Sequence, residues 1–198
     1  MKEAENDDKK KEKKNMKFDI KSKKSLPYYN SADFFWNVKN SSNLRKQNKL
    51  FFILKKLKNY SLGLMAYTCP VNNLRVFFHR QRGVHIGKNV FLGLRCTLDH
   101  AYPDYIYIDD NSILSGDVYI VAHNKPSVFF KRKIPSYVAP VLISKNCFIG
   151  VRSVILPGVT IGKGSFIAGG AVISKSIPEN SVAQGNPAVV IHKLNGNA

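Results

Sequence analysis

The sequence predicts an all-β fold, a parallel β-helix of stacked three-sided coils, preceded by an N-terminal helical segment and a disordered basic tail. Three observations carry this. Ile143, Ile149, Ile155, Ile161, Ile167 and Ile173 recur at every sixth position without a slip. The same frame holds upstream at Ile86, Leu92 and Leu98 and, after a slip of four residues, at Ile108, Leu114 and Ile120. The fifth place of the units is small or β-branched, as in Val90, Cys96, Cys147, Ser153, Val159, Ser165, Ala171 and Ile177. A period of six matches neither an α-helix nor a simple alternating strand. It fits a short strand plus a sharp bend, three of which close one coil of about 18 residues. The aliphatic residue points into the prism, the fifth-place residue fills it near a corner, and Gly or Asn serves the bend. One coil cannot bury its own faces, so coils stack on their neighbours as parallel strands.

The elements follow in chain order. Residues 1–25 are mostly Lys, Glu, Asp, Asn and Ser and bury too little apolar surface to offset ordering entropy. They are expected to be a mobile tail. The segment 26–83 opens with an aromatic burst (Tyr28, Tyr29, Phe34, Phe35, Trp36) suited to docking. Leu44, Leu50, Phe51, Ile53, Leu54, Leu57 and Leu64, with Lys and Arg between them, predict a basic amphipathic helix over 44–66. Pro70 suits a first helical position, Leu74, Phe77 and Phe78 form an apolar stripe, and Gly83 is a C-terminal stop. The β-helix occupies 84–178 and a closing segment 179–198, where Pro187 after Gly185-Asn186 fixes a turn. Residues 100–103 (HAYP) form a small extrusion. Between Ile120 and Ile143 roughly 17 extra residues loop out, about His123 to Pro140, and long loops inside regular scaffolds carry function.

Composition narrows the class. With 44% apolar residues the chain can bury a core, which excludes a wholly disordered protein. No apolar run approaches the roughly 20 residues a spanning helix needs. The opening MKEAENDDKKKEKKN lacks the apolar stretch of a secretory signal. Cys69, Cys96 and Cys147 form neither a CxxC pair nor an even set, which argues against disulfides and thiolate zinc and for the cytoplasm. The net charge is +18, and residues 1–60 hold 17 basic against 7 acidic side chains. Such a balance attracts phosphate, whether on nucleic acid, an anionic membrane or a cofactor.

The segments IGKNVFLG (86–93), VYIVAHNKP (118–126) and ISKNCFIGVRSVILPGVTIGKGSFIAGGAVISKSIPENSVAQGNPAVVI (143–191) resemble the left-handed β-helix hexapeptide-repeat acyltransferases. Among these the match is to the maltose, galactoside and polysaccharide O-acetyltransferases, over about 110 of 198 residues. The repeat alone marks the fold; a His at the loop opening and the closing IPEN…GNPA run narrow the match.

The resemblance implies a homotrimer that acetylates a sugar hydroxyl, with acetyl-CoA lying between neighbouring β-helices and no metal. His123 stands where the family places a general base. Imidazole suits that task at neutral pH, since a hydroxyl attacks a thioester poorly unless its proton leaves as the new bond forms. No Asp or Glu lies between Asp117 and Glu179, so a loop backbone carbonyl is the expected partner of His123, with Asp99 an option only if the coils bring it near. Asp99 resembles an acidic position directed at the acceptor and is expected to bind substrate. Phe148, Gly150, Gly169, Gly170, Ser174 and Lys175 match positions that hold the cofactor: an aromatic beside the pantetheine arm, bare backbone near the thioester, and a cation for a CoA phosphate. The chain departs from the pattern at Val151, where galactoside-type enzymes have a Ser, and at Val189, where a basic residue is common.

Other readings remain. Transfer to the amino group of a nucleotide-activated amino sugar would use the same site. A non-catalytic β-helix would bind partners through the basic tail, with nucleic acid disfavoured. A carbonic anhydrase needs three imidazoles, and the loop holds only His123. The basic stretch 44–82 caps the open end of the β-helix, makes a trimer contact, or rests on the inner face of an anionic membrane, where glycan precursors are assembled. Cys96 and Cys147 are read as core residues, His79, His85 and His192 as structural or exposed, and His100 as an exposed bystander.

Overall fold

The computed structural model describes residues 49–124 and 137–194. The tail (1–25), the aromatic burst, Leu44 and residues 125–136 of the loop lie outside the described residues. Helix α1 (Lys49–Thr68) and helix α2 (Asn72–Gln81) precede the strands. The first coil is β1 (His85–Ile86), β2 (Phe91–Leu92) and β3 (Thr97–Leu98), followed by a 3-10 turn (Pro103–Tyr105). The second is β4 (Ile106–Ile108), β5 (Ile113–Leu114) and β6 (Tyr119–Ile120). The loop leaves through β7 (His123–Asn124) and returns through β8 (Tyr137–Val138), which pair antiparallel. The third coil is β9 (Val141–Ile143), β10 (Phe148–Ile149) and β11 (Val154–Ile155); the fourth is β12 (Thr160–Ile161), β13 (Phe166–Ile167) and β14 (Val172–Ile173). A hairpin of β15 (Ser181–Gly185) and β16 (Ala188–Lys193) closes the chain, its turn holding Pro187.

Three parallel sheets make the faces of the prism. Face one is β1-β4-β9-β12, face three is β3-β6-β11-β14, and face two is β2-β5-β10-β13, extended by β15 and β16. The register stacks the frame residues directly: Leu98 on Ile120, Ile120 on Ile155, Ile155 on Ile173. All the predicted aliphatic positions are buried, eleven of the twelve at 0–1% exposure and Ile86 at 8%. The interior is thus one continuous apolar ladder, the dominant favourable term of the fold.

The expected Gly or Asn bend falls at the fourth place of the unit, which Arg and Asp also fill. The fourth residue of the regular units has positive φ: Asn89, Arg95, Asn111, Asp117, Asn146 and Arg152, then Gly158, Gly164 and Gly170. Non-glycine residues at such φ are strained by about 1 kcal/mol or more unless short and polar. Asn89, Asn111 and Asn146 form one corner ladder, each amide donating to the next at 3.2 Å. Arg95 instead reaches Asp117 on the next coil through two hydrogen bonds of 2.7 and 2.8 Å.

Among the described side chains, most apolar positions expected to face inward from the helices are exposed. Of the stripe, Leu74 and Phe77 are exposed and Phe78 is half-buried, while Arg75, Val76 and His79 are the buried side of α2. On α1, Leu54, Leu57 and Leu64 are exposed, and the helix approaches the prism through Gly63 and Ala66. The cause is the surface they cover. Among the described residues no strand lies upstream of the first coil, so its carbonyls that would accept from one need other donors, and buried unpaired carbonyls are costly. Helix α2 and its C-cap residue supply one arginine per face. Arg80 donates to Ile86 O on face one, Arg75 to Leu92 O on face two, and Arg82, just past the helix end, to Leu98 O on face three. Asn72 adds bonds to Val90 O and from Leu92 N. The cap reading of this stretch therefore holds for α2, with guanidinium groups rather than apolar side chains doing the covering.

Candidate active site

The site is built where face three turns into face one. After Leu98 ends β3, the Asp99 side chain folds back and is 5% exposed as a residue. Its Oδ1 accepts from Ala101 N at 2.8 Å and Tyr102 N at 3.1 Å, an Asx turn that shapes the extrusion. Its Oδ2 accepts from the second coil: Ala122 N at 2.8 Å and His123 Nδ1 at 2.5 Å. The base of the loop is pinned at the same level by Ala139 N donating to Ala122 O at 2.9 Å.

Burial pushes the Asp99 carboxyl upward, but the hydrogen bonds from His123 and Ala122 outweigh it and hold the group below the ordinary carboxylate value. An ionised carboxylate only accepts, so the imidazole proton sits on Nδ1 and Nε2 carries the lone pair. The His123 side chain is 33% exposed against 1% for Asp99, and Tyr102 packs against it with ring centroids 5.3 Å apart. A fixed imidazole with one nitrogen held by a carboxylate and the other open can take a proton from a hydroxyl.

Behind the dyad lies a buried polar cluster. Arg82 donates through Nη1 to His79 Nδ1 at 3.1 Å, and the two hydrogens of Nη2 are shared among Leu98 O at 3.1 Å, Asp99 O at 3.0 Å and His100 Nδ1 at 3.2 Å. Burial first, and then the charge of Arg82, hold the His79 imidazole down to about 3, so it is neutral and free to accept. Burial lowers the Arg82 guanidinium to about 10, partly offset by Asp99, and it remains a cation at neutral pH.

Several expectations need correction. The partner of His123 is the Asp99 carboxylate, not a loop carbonyl. That carboxylate, expected to face the acceptor, is instead enclosed by its four N–H donors. At Gly150 both backbone groups are engaged within the prism: its N–H goes to Ile167 O at 2.8 Å and its C=O accepts from Ser153 Oγ at 2.8 Å. A Cβ there would lie 2.4 Å from Gly169 N, so the residue is glycine for close coil packing. Gly170, by contrast, has open space around an added Cβ, and both Gly169 and Gly170 are exposed. His100 is exposed as expected, though tied to Arg82. Cys96 and Cys147 are buried, and burial pushes both thiols up to about 11, as core residues require.

The remaining site residues fall on two corners and on face two. Ser174 and Lys175, both exposed, follow β14 at the corner that carries Asp99 and His123, two coils beyond His123. Phe148 lies on face two, stacked on Phe166 at 4.7 Å and 6°. Gly169 and Gly170 turn the corner between faces two and three, beside the exposed Val151. Within one chain, therefore, the Phe148–Gly170 group and His123 lie across face three from each other. Sequence reasoning missed Arg82 and Tyr102. Among the described residues, no group of three or more His, Cys, Asp or Glu side chains could hold a metal ion. No described helix is long and apolar enough to cross a membrane.

Comparison with known proteins places this geometry. Residues 140–175 match the family of bacterial transferase hexapeptides (six repeats), and 83–122 match the hexapeptide repeat of succinyl-transferase. An Escherichia coli K12 protein provisionally named colanic acid biosynthesis acetyltransferase WcaF is 31% identical over 137 residues, 60% of this chain and 74% of that protein. The galactoside O-acetyltransferase of Escherichia coli K12 is 36% identical over 121 residues, 61% of this chain and 59% of that one. Among solved structures, a maltose O-acetyltransferase from Clostridium difficile 630 superposes with a TM-score of 0.53 at 25% identity, covering 72% of this chain and 88% of that one. A galactoside acetyltransferase in complex with coenzyme A gives 0.54 at 25% identity, covering 71% and 81%. The chain belongs to the hexapeptide-repeat acetyltransferase family, and its prism is the left-handed parallel β-helix. The matched region spans little more than half of some curated relatives, 53% of a Schizosaccharomyces pombe protein and 59% of the galactoside enzyme.

Proposed function

We propose that this protein is an acetyl-CoA-dependent O-acetyltransferase acting on a sugar hydroxyl of a cell-surface glycan or its precursor, with His123 as general base. The observation that carries the reading is the 2.5 Å hydrogen bond from His123 Nδ1 to a buried carboxylate at the loop mouth. Nε2 takes the hydroxyl proton as that oxygen bonds to the thioester carbonyl carbon. The tetrahedral adduct then loses the thiolate, and His123 returns the proton to sulfur. Asp99 does not touch the acceptor in this scheme; it is a positioning residue that fixes the tautomer and balances the imidazolium. Coenzyme A supplies an activated acyl group. The Phe148–Phe166 stack, the exposed Gly169–Gly170 corner, Ser174 and Lys175 are the groups that would hold it. A relative named galactoside O-acetyltransferase and a neighbour solved with coenzyme A support both substrates.

The two-corner distribution supports a homotrimer, in which one prism's face-two corner meets the next prism's His123. Location in the cytoplasm, with peripheral contact to an anionic membrane, belongs to the same proposal, and exposed Leu57, Tyr60 and Leu64 on α1 support it. The test is a panel of sugars offered with acetyl-CoA while thiol release is followed. Acceptor-dependent release that collapses in His123→Ala is expected. Release only with amino sugars would redirect the reading to N-acylation, and undiminished turnover in His123→Ala would remove the base.

A further inference from the structure

All three arginines of the cap hold carbonyls of the first coil, but Arg82 does more than the others. Arg75 contacts Leu92 O and Cys69 O, and Arg80 contacts Ile86 O and Gly87 O, all remote from the dyad. Arg82 grips Leu98 O and Asp99 O together, the two peptide units that orient the Asp99 side chain, and it also holds His100 on the far side of Asp99. The guanidinium is itself fixed on two further sides. His79 accepts from Nη1, and α1 closes over it at Gly63, where an added Cβ would meet Arg82 Cζ at 3.2 Å and His100 Nδ1 at 3.1 Å.

Resting on the general-base reading above, we propose that Arg82 is a positioning residue for the reaction: it anchors the backbone of Leu98 and Asp99 and so fixes the carboxylate that holds His123. The chemical argument is the planar fork. Only a guanidinium can serve His79, two adjacent carbonyls and His100 from one buried point; an ammonium keeps the charge but not this geometry. The placement also sets a cation behind Asp99, which favours the ionised carboxylate. A misplacement of about 1 Å at such a site costs roughly 100-fold in rate.

The experiment compares Arg82→Lys with Arg75→Lys, which disturbs the same cap away from the dyad. The readout independent of activity is the His123 Nδ1–H proton resonance, held far downfield by its short bond to Asp99 and assigned by its absence in His123→Ala. Arg82→Lys should lose or broaden that resonance and lower kcat about 10- to 100-fold, with KM for acetyl-CoA within about twofold. In a His123→Ala background it should lower turnover no further. Arg75→Lys should lower the melting temperature while keeping the resonance and kcat. Gly63→Ala presses on His100 and Arg82 together from outside and should weaken the same resonance, which covers the case of Arg82→Lys failing to fold. If Arg82→Lys, or Gly63→Ala in its place, keeps the resonance and turnover and loses only stability, Arg82 is a cap and nothing more. Undiminished turnover in His123→Ala would sink the general-base reading instead, and the resonance would still report on Arg82.

Discussion

His123 and Asp99 stand 24 residues apart in the chain and share a 2.5 Å hydrogen bond from one coil to the next. In Asp99→Asn, an amide replaces an acceptor that serves two donors, Ala122 N and His123 Nδ1. If the amide oxygen stays with Ala101 and Tyr102, its NH2 faces those donors and drives the imidazole proton to Nε2. Turnover should drop by about 10²–10⁴-fold with coenzyme A affinity retained. Steady-state thiol release and calorimetric titration of coenzyme A check this; loss of affinity in step with turnover would point to general misfolding.

Gly150 and Gly170 should respond differently to alanine. A Cβ at Gly150 lies 2.4 Å from backbone of the next coil, so Gly150→Ala should cost about 3 kcal/mol. Gly170 has φ +71 and open space, so Gly170→Ala should cost only about 1 kcal/mol of backbone strain. Urea melts measure both. Equal losses would contradict the packing role assigned to Gly150.

His79 makes stability acid-sensitive. Its folded value of about 3 lies below the ordinary 6.5. In that interval the unfolded chain binds a proton that the folded chain refuses, so stability is complete above about pH 6.5 and falls as pH drops, by about 1.4 kcal/mol per unit. His79→Gln, which can still accept from Arg82, should flatten the slope by up to one proton. Urea midpoints between about pH 7 and pH 5 provide the comparison.

Lys175 is exposed on the corner column of His123. As the phosphate contact, its loss in Lys175→Ala should raise KM for acetyl-CoA about tenfold and leave kcat within about twofold. With the dephosphorylated donor, wild type and variant should coincide. A phosphate-independent change would assign Lys175 to another task.

The interior was legible in the amino-acid sequence because a period of six leaves little choice: Leu92, Ile120 and Ile173 point inward wherever the frame holds. The dyad was half legible. The same frame stacks Leu98 on Ile120, which brings Asp99 beside Val121 and Ala122, yet counting acids near His123 along the chain hid the one that the coils deliver. The helices were misread because amphipathic logic assumes an apolar surface to cover. Arg75, Arg80 and Arg82 face inward because the first coil offers carbonyl oxygens, and nothing in the spacing of Leu74 and Phe77 signals that. Gly150 was read from its match to family members, whereas its neighbour on the next coil explains it.

The arginine cap on the first coil also decides what the molecule cannot become. A stack of coils is in principle endless, since each rim is a template for another, and two such particles could join rim to rim into a fibre. Here one rim is stoppered by three cations, so growth in that direction would require ejecting α2 and stripping charge from its bonds. Inserting extra coils mid-stack leaves the stopper intact, whereas deleting α2 would take away the arginine donors of Ile86 O and Leu92 O and bare that rim on two faces.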